Sequence, residues 1–243
     1  MSKRMLACVS LIGLFTVALA GCGGDDEGSD PGPQAQPGTV NEAAAKQTAA
    51  GVLQALSVAK GGDGTAAAFA LATSGSAAFS LVTPGSAAPQ AMPGGIGEVK
   101  QKLQTGTCEC DADSCTFEAC SDDANPNAWV IDGTLSWAGD RLDCDLTISG
   151  SSQGLSYSFH EACALAVAAT SIDGTLDSSG SYDVAAGGQS ASFSWDAGID
   201  FHDVQYTEAG CPLSGSIDVD ATVEAGGASY EGQGSVTLDG SGC

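Results

Sequence analysis

The sequence predicts a mainly β protein of the α+β class, in which a short helical N-terminal region precedes an antiparallel β meander cross-linked by disulfides. Alanine-rich stretches with helical spacing occupy residues 39–107, and apolar and polar residues alternate through 127–243. Between them, residues 108–126 hold four of the ten cysteines and are predicted to form a Cys-rich loop. A chain of 243 residues is long enough to bury a substantial core.

The helical region begins with a capping box, in which Thr39 is the cap and Glu42 follows three residues later. Gly61 and Gly62 are typical of a helix end. The pattern predicts a helix over 40–60 whose apolar face is made by Ala45, Ala49, Val52, Leu53 and Leu56. The rest of the region is predicted as an Ala-rich segment that favours helix over 65–82, a proline-containing loop over 83–95 and a short helix over 96–103.

From Trp129 onward, apolar residues alternate with Asp, Ser and Thr, as in strands with one buried and one wet face. Clusters of Gly, Ser and Asp separate these runs at hairpin spacing. We expect about seven to nine antiparallel strands that form a barrel, a half-barrel or a sandwich, because these arrangements bury the apolar face and limit exposed edges. The apolar positions include Ile131, Leu135, Leu142, Cys144, Leu146, Phe159, Trp195, Ile199, Ile217, Val219, Val236 and Leu238.

A short motif recurs along the β region. Residues 131–135 and 172–176 both read IDGTL, and residues 213–217 read LSGSI after a further 41 residues. Phe-His-Glu at 159–161 is similarly echoed by Phe-His-Asp at 201–203. The spacing indicates a duplicated unit of three or four strands, although convergent strand-and-turn composition can produce the same echo.

The first residues have the layout of a secretory signal peptide. Lys3 and Arg4 precede an uncharged, mostly apolar run over residues 5–20, which is too short and wrongly flanked for a membrane span. The run ends Leu19-Ala20-Gly21-Cys22. Here the chain resembles bacterial lipoproteins, whose lipobox is an apolar residue, two small residues and a cysteine. The resemblance implies a signal peptide of residues 1–21 and a lipid on the Cys22 thiol, whereas an ordinary signal peptide cut after Ala20 is the alternative.

The same resemblance implies a location at the cell envelope. Gly23, rather than the Asp that retains a lipoprotein in the inner membrane, follows the lipidated cysteine. By that rule the protein goes to the outer membrane of a Gram-negative bacterium, while a Gram-positive source would hold it on the outer face of its single membrane. Residues 22–38 are rich in Gly, Pro and acids, and they are predicted to form a disordered tether.

The chain is strongly acidic, with 30 Asp and Glu against 7 Lys and Arg and a formal charge of -23. Loss of Lys3 and Arg4 with the signal peptide would leave five basic residues, and hence a charge of -25. Binding to nucleic acid is excluded, because phosphate contacts need a Lys/Arg surface. Two or three acyl chains anchor a protein without a basic patch, so the membrane is the partner that the lipid anchor implies.

Cysteine counting predicts disulfides. Cys8 would leave with the signal peptide and Cys22 would be capped by lipid, which leaves an even number in an exported chain. A four-thiolate metal site is the alternative for the first four, but their spacing lacks the paired CxxC knuckles of zinc sites. We expect Cys108 and Cys110 to have different partners. The disulfide candidates are Cys108, Cys110, Cys115, Cys120, Cys144, Cys163, Cys211 and Cys243.

Other chemical signals are weak. Residues 150–154 match the G-x-S-x-G motif, but strands flank them on both sides, so a hairpin turn is expected rather than a nucleophile elbow. His160 and His202, each followed by an acid, are weak metal candidates, with solvated surface histidines as the plainer interpretation. Residues 61–64 are similar to the start of a calcium nonapeptide but do not repeat. No cofactor is predicted.

These observations predict a lipid-anchored envelope protein with a structural or binding role and no catalytic residues. One alternative is a carrier of a hydrophobic or lipid ligand, held in an open cavity of a half-barrel. A hydrolase or a metal-binding protein is a further alternative. The residues expected to line the carrier cavity are Leu135, Trp137, Tyr157, Phe193 and Trp195.

Overall fold

A computed structural model of the chain describes residues 36–37, 40–76, 104–122, 129–152, 154–168, 170–186, 189–207 and 212–240. Several predicted features lie outside these residues. They are the signal peptide, Cys22, the tether up to residue 35, the loop over 83–95, the helix over 96–103, and the disulfide candidates Cys211 and Cys243.

Two helices precede most of the sheet: α1 spans Glu42–Lys60 and α2 spans Gly64–Ser76. The N-cap of α1 is Asn41, whose side-chain oxygen accepts hydrogen bonds from the backbone N–H groups of Ala43 and Ala44 at 3.0 and 3.4 Å. The cap therefore lies two residues later than the predicted Thr39, because Asn satisfies the same orphan donors. Gly61 ends the helix as predicted.

The helices pack closely against each other and against the sheet. A Cβ at Gly51 of α1 would overlap the Ser74 side chain of α2, so the missing side chain permits this close approach. Helix α1 contacts the strand Pro212–Ala225, and α2 contacts the strands Arg141–Ser152, Leu155–Val167 and Ser171–Ala186. The apolar faces of the helices and of the sheet thereby form one core.

The described strands form one sheet in the order β1-β10-β9-β8-β7-β6-β5-β4-β3-β2. From β2 onward each strand pairs antiparallel with its chain neighbour, while the two-residue β1 is parallel to β10. Gln36 and Pro37, which were predicted to belong to the disordered tether, are therefore part of the sheet. The predicted antiparallel meander is confirmed, with seven strands after residue 129. The strands are β1 Gln36–Pro37, β2 Gln104–Cys110, β3 Ser114–Asp122, β4 Val130–Ser136, β5 Arg141–Ser152, β6 Leu155–Val167, β7 Ser171–Ala186, β8 Gln189–Tyr206, β9 Pro212–Ala225 and β10 Ala228–Leu238.

The Cys-rich segment is a hairpin of β2 and β3 and not the predicted loop. Its turn is organised by Asp111, whose Oδ1 accepts the backbone N–H groups of Asp113 and Ser114 at 2.9 and 2.7 Å. The apolar alternation is weak here because cysteines occupy core positions: Cys115 and Cys120 are buried. The disulfides therefore extend the sheet by two strands at this end.

Strands β2–β5 and β6–β9, here called the first and second half-sheets, have matching registers. The registers are those that a two-fold axis perpendicular to the sheet would produce, exchanging β5 with β6, β4 with β7, β3 with β8 and β2 with β9. Phe117 lies opposite Gly133 as Phe201 lies opposite Gly174, and Cys144 lies opposite Cys163 at the axis. Other equivalent pairs are Cys110–Cys115 with Val219–Ile199, Glu109–Thr116 with Asp218–Asp200, and Ile131–Ile148 with Ile172–Val167.

The repeated unit therefore has four strands, but the order of the strands is reversed between the copies. The two IDGTL motifs lie in β4 and β7, which are equivalent. The LSGSI motif of residues 213–217 lies in β9 and corresponds to QTGTC at 104–108 in β2, not to a third tandem copy. The 41-residue spacing indicated a repeat that the structure contains, but it did not reveal that the strand order is reversed in the second copy.

Each half-sheet contains the same β-bulge. Ala119 of β3 and Asp203 of β8 have positive φ angles of 50° and 45°. Their backbone N–H groups donate to the aspartate of the neighbouring IDGTL motif, over 2.7 Å to Asp132 and 3.2 Å to Asp173. A bulge leaves an unpaired backbone donor, and the motif aspartate satisfies it.

The glycine of the motif is required by the close approach of the next strand. Gly133 and Gly174 have φ angles of 119° and 120°. A Cβ at either position would overlap a backbone carbonyl oxygen, that of Asp145 or Ala164 respectively. Both the backbone conformation and the missing side chain therefore make glycine necessary here.

Candidate functional site

The structure does not bring the two histidines together. They lie on β6 and β8, with β7 between these strands, and both side chains are exposed. His160 Nδ1 is 3.9 Å from Asp145 Oδ1, and His202 Nε2 is 3.0 Å from Asp218 Oδ2. Within the described ranges, no group of three or more His, Cys, Asp or Glu side chains is placed to hold a metal ion. The structure therefore offers two separate surface His–Asp pairs.

The polar face of the second half-sheet and β10 carries two shallow depressions lined by acids. One, of about 400 Å³, lies among Ser181, Asp183, Ser194 and Glu224. The other, of about 420 Å³, is lined by Asp200, Asp218, Asp220 and Gln233. Asp200 and Asp218 lie directly opposite each other on β8 and β9, where like charges repel.

Hydrogen bonds stabilise the ionised carboxylates at the second depression. Hydrogen bonds from Ser235 and His202 hold the pKa of the Asp218 carboxyl below its ordinary value. The side-chain amide of Gln233 donates to Asp220 Oδ2 at 3.3 Å. This face is therefore anionic, and its carboxylates are hydrogen-bonded.

Six of the predicted cysteines form three disulfides: Cys108–Cys120, Cys110–Cys115 and Cys144–Cys163. Cys108 and Cys110 have different partners, as predicted. All three bonds join adjacent antiparallel strands, with Cα–Cα distances of 5.3, 4.0 and 4.8 Å in that order. The first four cysteines are thereby consumed as disulfides, so they hold no thiolates for a metal.

The Cys110–Cys115 bond also contacts the helical region. A Cβ at Gly64, the first residue of α2, would overlap the Sγ atoms of both cysteines. Asp63 caps this helix by accepting the Ala66 backbone N–H at 2.9 Å. The disulfide therefore fixes the start of α2 against the β2–β3 hairpin.

The G-x-S-x-G segment is a hairpin turn, as expected. Ser152 ends β5 directly opposite Leu155, the first residue of β6. Gly154 has a φ of 84° and its carbonyl accepts the Ala185 backbone N–H at 2.6 Å. Because a strand rather than a helix follows, the segment lacks the nucleophile elbow of hydrolases.

The most unusual group in the described structure is the carboxyl of Glu161 on β6, which is fully buried. Its Oε1 accepts a hydrogen bond from Ser178 Oγ at 3.0 Å. Ser178 Oγ in turn accepts a hydrogen bond from Trp195 Nε1 at 3.0 Å. Glu161 Oε2 is also buried and has no hydrogen-bond partner among the residues described. Burial raises the pKa of this carboxyl well above its ordinary value, and the hydrogen bond from Ser178 opposes the shift only in part.

The sequence contained a signal for this group that the residue-by-residue interpretation missed. Apolar residues of β6 occupy the odd positions from Leu155 to Val167, and Glu161 falls in that series. Ser178 similarly falls in the buried series of β7, between Leu176 and Tyr182. A charged residue in an apolar register predicts either a strand irregularity or a buried acid, and β6 pairs without interruption.

Aromatic rings surround this hydrogen-bonded group on the buried face. Phe159 lies 5.1 Å from Tyr182 and 5.5 Å from Trp195, measured between ring centroids. A Cβ at Gly180 would overlap the Trp195 indole, so this glycine lets the indole lie across β7. Of the residues predicted to line a carrier cavity, Leu135, Trp137 and Trp195 are buried in the core, while Tyr157 and Phe193 are half-buried.

Comparison of the chain with protein-family models, with curated proteins and with solved structures finds no match. Over the part of the chain that the structure describes, neither helix is long and apolar enough to cross a membrane.

Proposed function

We propose that this chain is a lipid-anchored envelope protein whose acidic β domain has a structural or binding role and no catalytic role. The observation that carries the proposal is the uncharged apolar run that ends Leu19-Ala20-Gly21-Cys22 after Lys3 and Arg4. The lipid would be attached at Cys22, and residues 23–35 would connect it to the folded domain, whose sheet includes Gln36 and Pro37. Its location would be the outer membrane of a Gram-negative bacterium.

The disulfides support an exported protein. Thiols in the bacterial cytosol are kept reduced, whereas disulfides form and persist in exported proteins. Three cross-links between adjacent strands suit a domain that folds in an oxidising compartment. A disulfide stabilises a domain by about 2–4 kcal/mol by restricting its unfolded chain.

The charge distribution supports anchorage by lipid rather than by surface electrostatics. Five basic residues remain against thirty acidic ones after the predicted cleavage, so the domain would be repelled by anionic lipid headgroups. Two or three acyl chains hold a protein at a bilayer without such attraction. Binding would therefore use the polar face or the loops of the sheet, and the partners favoured there would be cationic or hydrogen-bonding.

Both alternatives lack a specific observation in their favour. A carrier of a hydrophobic ligand needs open apolar surface, whereas Leu135, Trp137 and Trp195 have exposed fractions of 1–3%. A hydrolase needs a nucleophile beside a base, and the G-x-S-x-G segment lies in a hairpin turn. The structural or binding role therefore remains the proposal.

The decisive variant is Cys22→Ser, expressed as the full chain in a Gram-negative host. The wild-type protein should partition into the membrane fraction and detergent phase, and its mature mass should equal residues 22–243 plus acyl groups. Cys22→Ser should prevent acylation, leaving a protein that is released from membranes by salt or remains uncleaved. Intact mass spectrometry and detergent partitioning report both properties.

Cys8→Ser is the matched control, because it removes a cysteine of the same signal segment without touching the lipobox. It should leave mature mass and partitioning unchanged. Equal mass and membrane association of wild type and Cys22→Ser would overturn the assignment of a lipid anchor.

A further inference from the structure

The buried carboxyl of Glu161 lies in a site where the fold does not need an acid. Under the two-fold relation of the half-sheets, Cys163 corresponds to Cys144 and Glu161 to Leu142. Leu142 is fully buried, as Glu161 is. The same backbone position therefore holds an ordinary apolar side chain in one half-sheet and an ionisable one in the other.

The partners of Glu161 are also confined to the second half-sheet. Ser178 and Trp195 correspond to Trp137 and Asp111, which make different contacts: Trp137 Nε1 donates to the Ala112 carbonyl at 3.0 Å. The chain from Trp195 through Ser178 to Glu161 is thus a departure from the repeat, built from three side chains that are each no more than 3% exposed. A buried acid held by such a chain is costly to ionise.

The surroundings of Glu161 contain no compensating cation among the described residues. Leu146 lies opposite it on β5 and Ser178 opposite it on β7. Helix α2, which packs on β5, β6 and β7, has no ionisable residue, and α1 carries only Glu42, Lys46 and Lys60, none of them buried. The titratable groups on the buried face include the phenols of Tyr157, Tyr182 and Tyr206 and, opposite Val223, that of Tyr230, all of which are themselves neutral acids.

The sulfur of Cys144 lies 3.8 Å from the Glu161 carbonyl oxygen. Because Cys144 is bonded to Cys163, it has no S–H to donate, so this is a van der Waals contact. The disulfide joins β5 to β6 two residues from Glu161 and makes no contact with the carboxyl that any hydrogen bond records.

We propose that Glu161 is protonated in the folded protein and acts as a built-in pH-sensitive element, so that the centre of the sheet closes with the acid neutral and loosens when it ionises. This inference rests on the described structure and does not depend on the proposed location. In the neutral form Ser178 donates to Oε1, and the proton resides on Oε2. Ionisation would leave a carboxylate in an apolar core with one hydrogen bond, a state that opening of β6 and β7 to water relieves.

The direction of the pH effect follows from linkage. A carboxyl whose pKa is higher in the folded than in the unfolded protein, as burial makes that of Glu161, stabilises the fold fully below the unfolded value, which is about 4.3 for glutamate. That stabilisation is lost as pH rises toward and through the folded value. Over that interval one proton makes the unfolding equilibrium constant rise by up to about tenfold for each pH unit.

The test compares the pH dependence of unfolding in the disulfide-intact mature chain. Urea titrations from pH 5 to 8 should show wild-type stability falling with pH relative to Glu161→Gln, which mimics the protonated acid. Glu161→Leu, which installs the residue of the equivalent Leu142 position, should show the same loss of pH dependence. Glu231→Gln removes an exposed glutamate and should keep the wild-type pH profile.

An infrared measurement provides a second readout that does not require unfolding. Wild type at pH 7 should show the carbonyl stretching band of a protonated carboxylic acid, and Glu161→Gln should lack it. Absence of that band from wild type, or equal pH dependence of wild type and Glu161→Gln, would overturn the proposal.

Discussion

The two half-sheets share one backbone plan and differ in how their strands are held together. In the first, strands are 7 to 12 residues long and two disulfides join β2 to β3. In the second, strands are 13 to 18 residues long. The four cysteines of those two disulfides correspond to buried apolar residues of the second half-sheet. Cys108, Cys110, Cys115 and Cys120 correspond to Ile217, Val219, Ile199 and Val204 in that order.

Equivalent positions therefore carry a covalent restraint in one half-sheet and apolar packing in the other. A short hairpin buries little apolar area, and an edge hairpin is marginally stable by itself. Disulfides compensate by reducing the entropy of the unfolded chain. Long strands with continuous apolar registers need no such restraint, because each buried aliphatic side chain contributes about 1.5–3 kcal/mol.

The largest expected loss of stability comes from substituting the glycines of the two IDGTL motifs, and it tests whether the half-sheets are equivalent there. Gly133→Ala and Gly174→Ala should each destabilise the fold by more than about 3 kcal/mol, because each adds a Cβ that overlaps backbone at a φ near 120°. Urea unfolding measures the loss. Gly139→Ala is the control: its φ is 63° with no atom within 4 Å of the added Cβ, so about 1 kcal/mol is expected. A mild effect at only one motif glycine would break the equivalence.

The second prediction concerns the exchange of a disulfide for an apolar pair. Replacing Cys108 and Cys120 by Ser should cost about 2–3 kcal/mol. Replacing them by Ile and Val, the residues at positions 217 and 204 of the second half-sheet, should recover about 1 kcal/mol through apolar burial. Denaturant unfolding gives the free energies, and amide hydrogen exchange in β2 shows where the loss occurs. No gain of the Ile/Val variant over the Ser/Ser variant would mean that apolar contacts cannot substitute here.

The smallest expected loss of stability comes from removing the aspartate that accepts the bulge N–H, and it should differ between the bulges at Ala119 and Asp203. Asp132→Ala removes the acceptor of the Ala119 N–H and should cost about 1 kcal/mol. Asp173→Ala should cost less, since it also removes a carboxylate next to that of Asp203. Urea unfolding in low and high salt measures the loss of unfolding free energy in each variant. The difference between the two losses should become smaller in high salt, because salt screens the repulsion between Asp173 and Asp203. Equal costs at every salt concentration would show that the charge of Asp203 plays no part.

Much of the fold was predictable from the sequence because period-two alternation survives in β4–β10, where one face is buried and the other is wet. The end of α1 at Gly61 and the hairpin after Ser152 followed from local rules. The β2–β3 hairpin was missed because its core positions are held partly by cysteines such as Cys115 and Cys120, which were counted there as cross-links and not as apolar residues of a strand. The N-cap was predicted at Thr39 and is Asn41, because Thr and Asn are both favoured N-cap residues and lie two positions apart.

For the candidate site, sequence reasoning named six cysteines that do pair and two histidines that lie apart. Pairing partners required the register, which sets Cys110 opposite Cys115 and Cys144 opposite Cys163. Glu161 was visible only as an acid in an apolar series. Its significance depends on Ser178 and Trp195, which are 17 and 34 residues away in the chain and become neighbours through strand pairing.

The sequence by itself determined the alternation of buried and wet residues, the length of α1 and the acidic charge, because each depends on local order or composition along the chain. Tertiary structure alone decided the direction of the repeat, the partners of the cysteines and the burial of Glu161. These depend on which strands lie side by side, and in an antiparallel sheet that choice fixes every cross-strand contact at once.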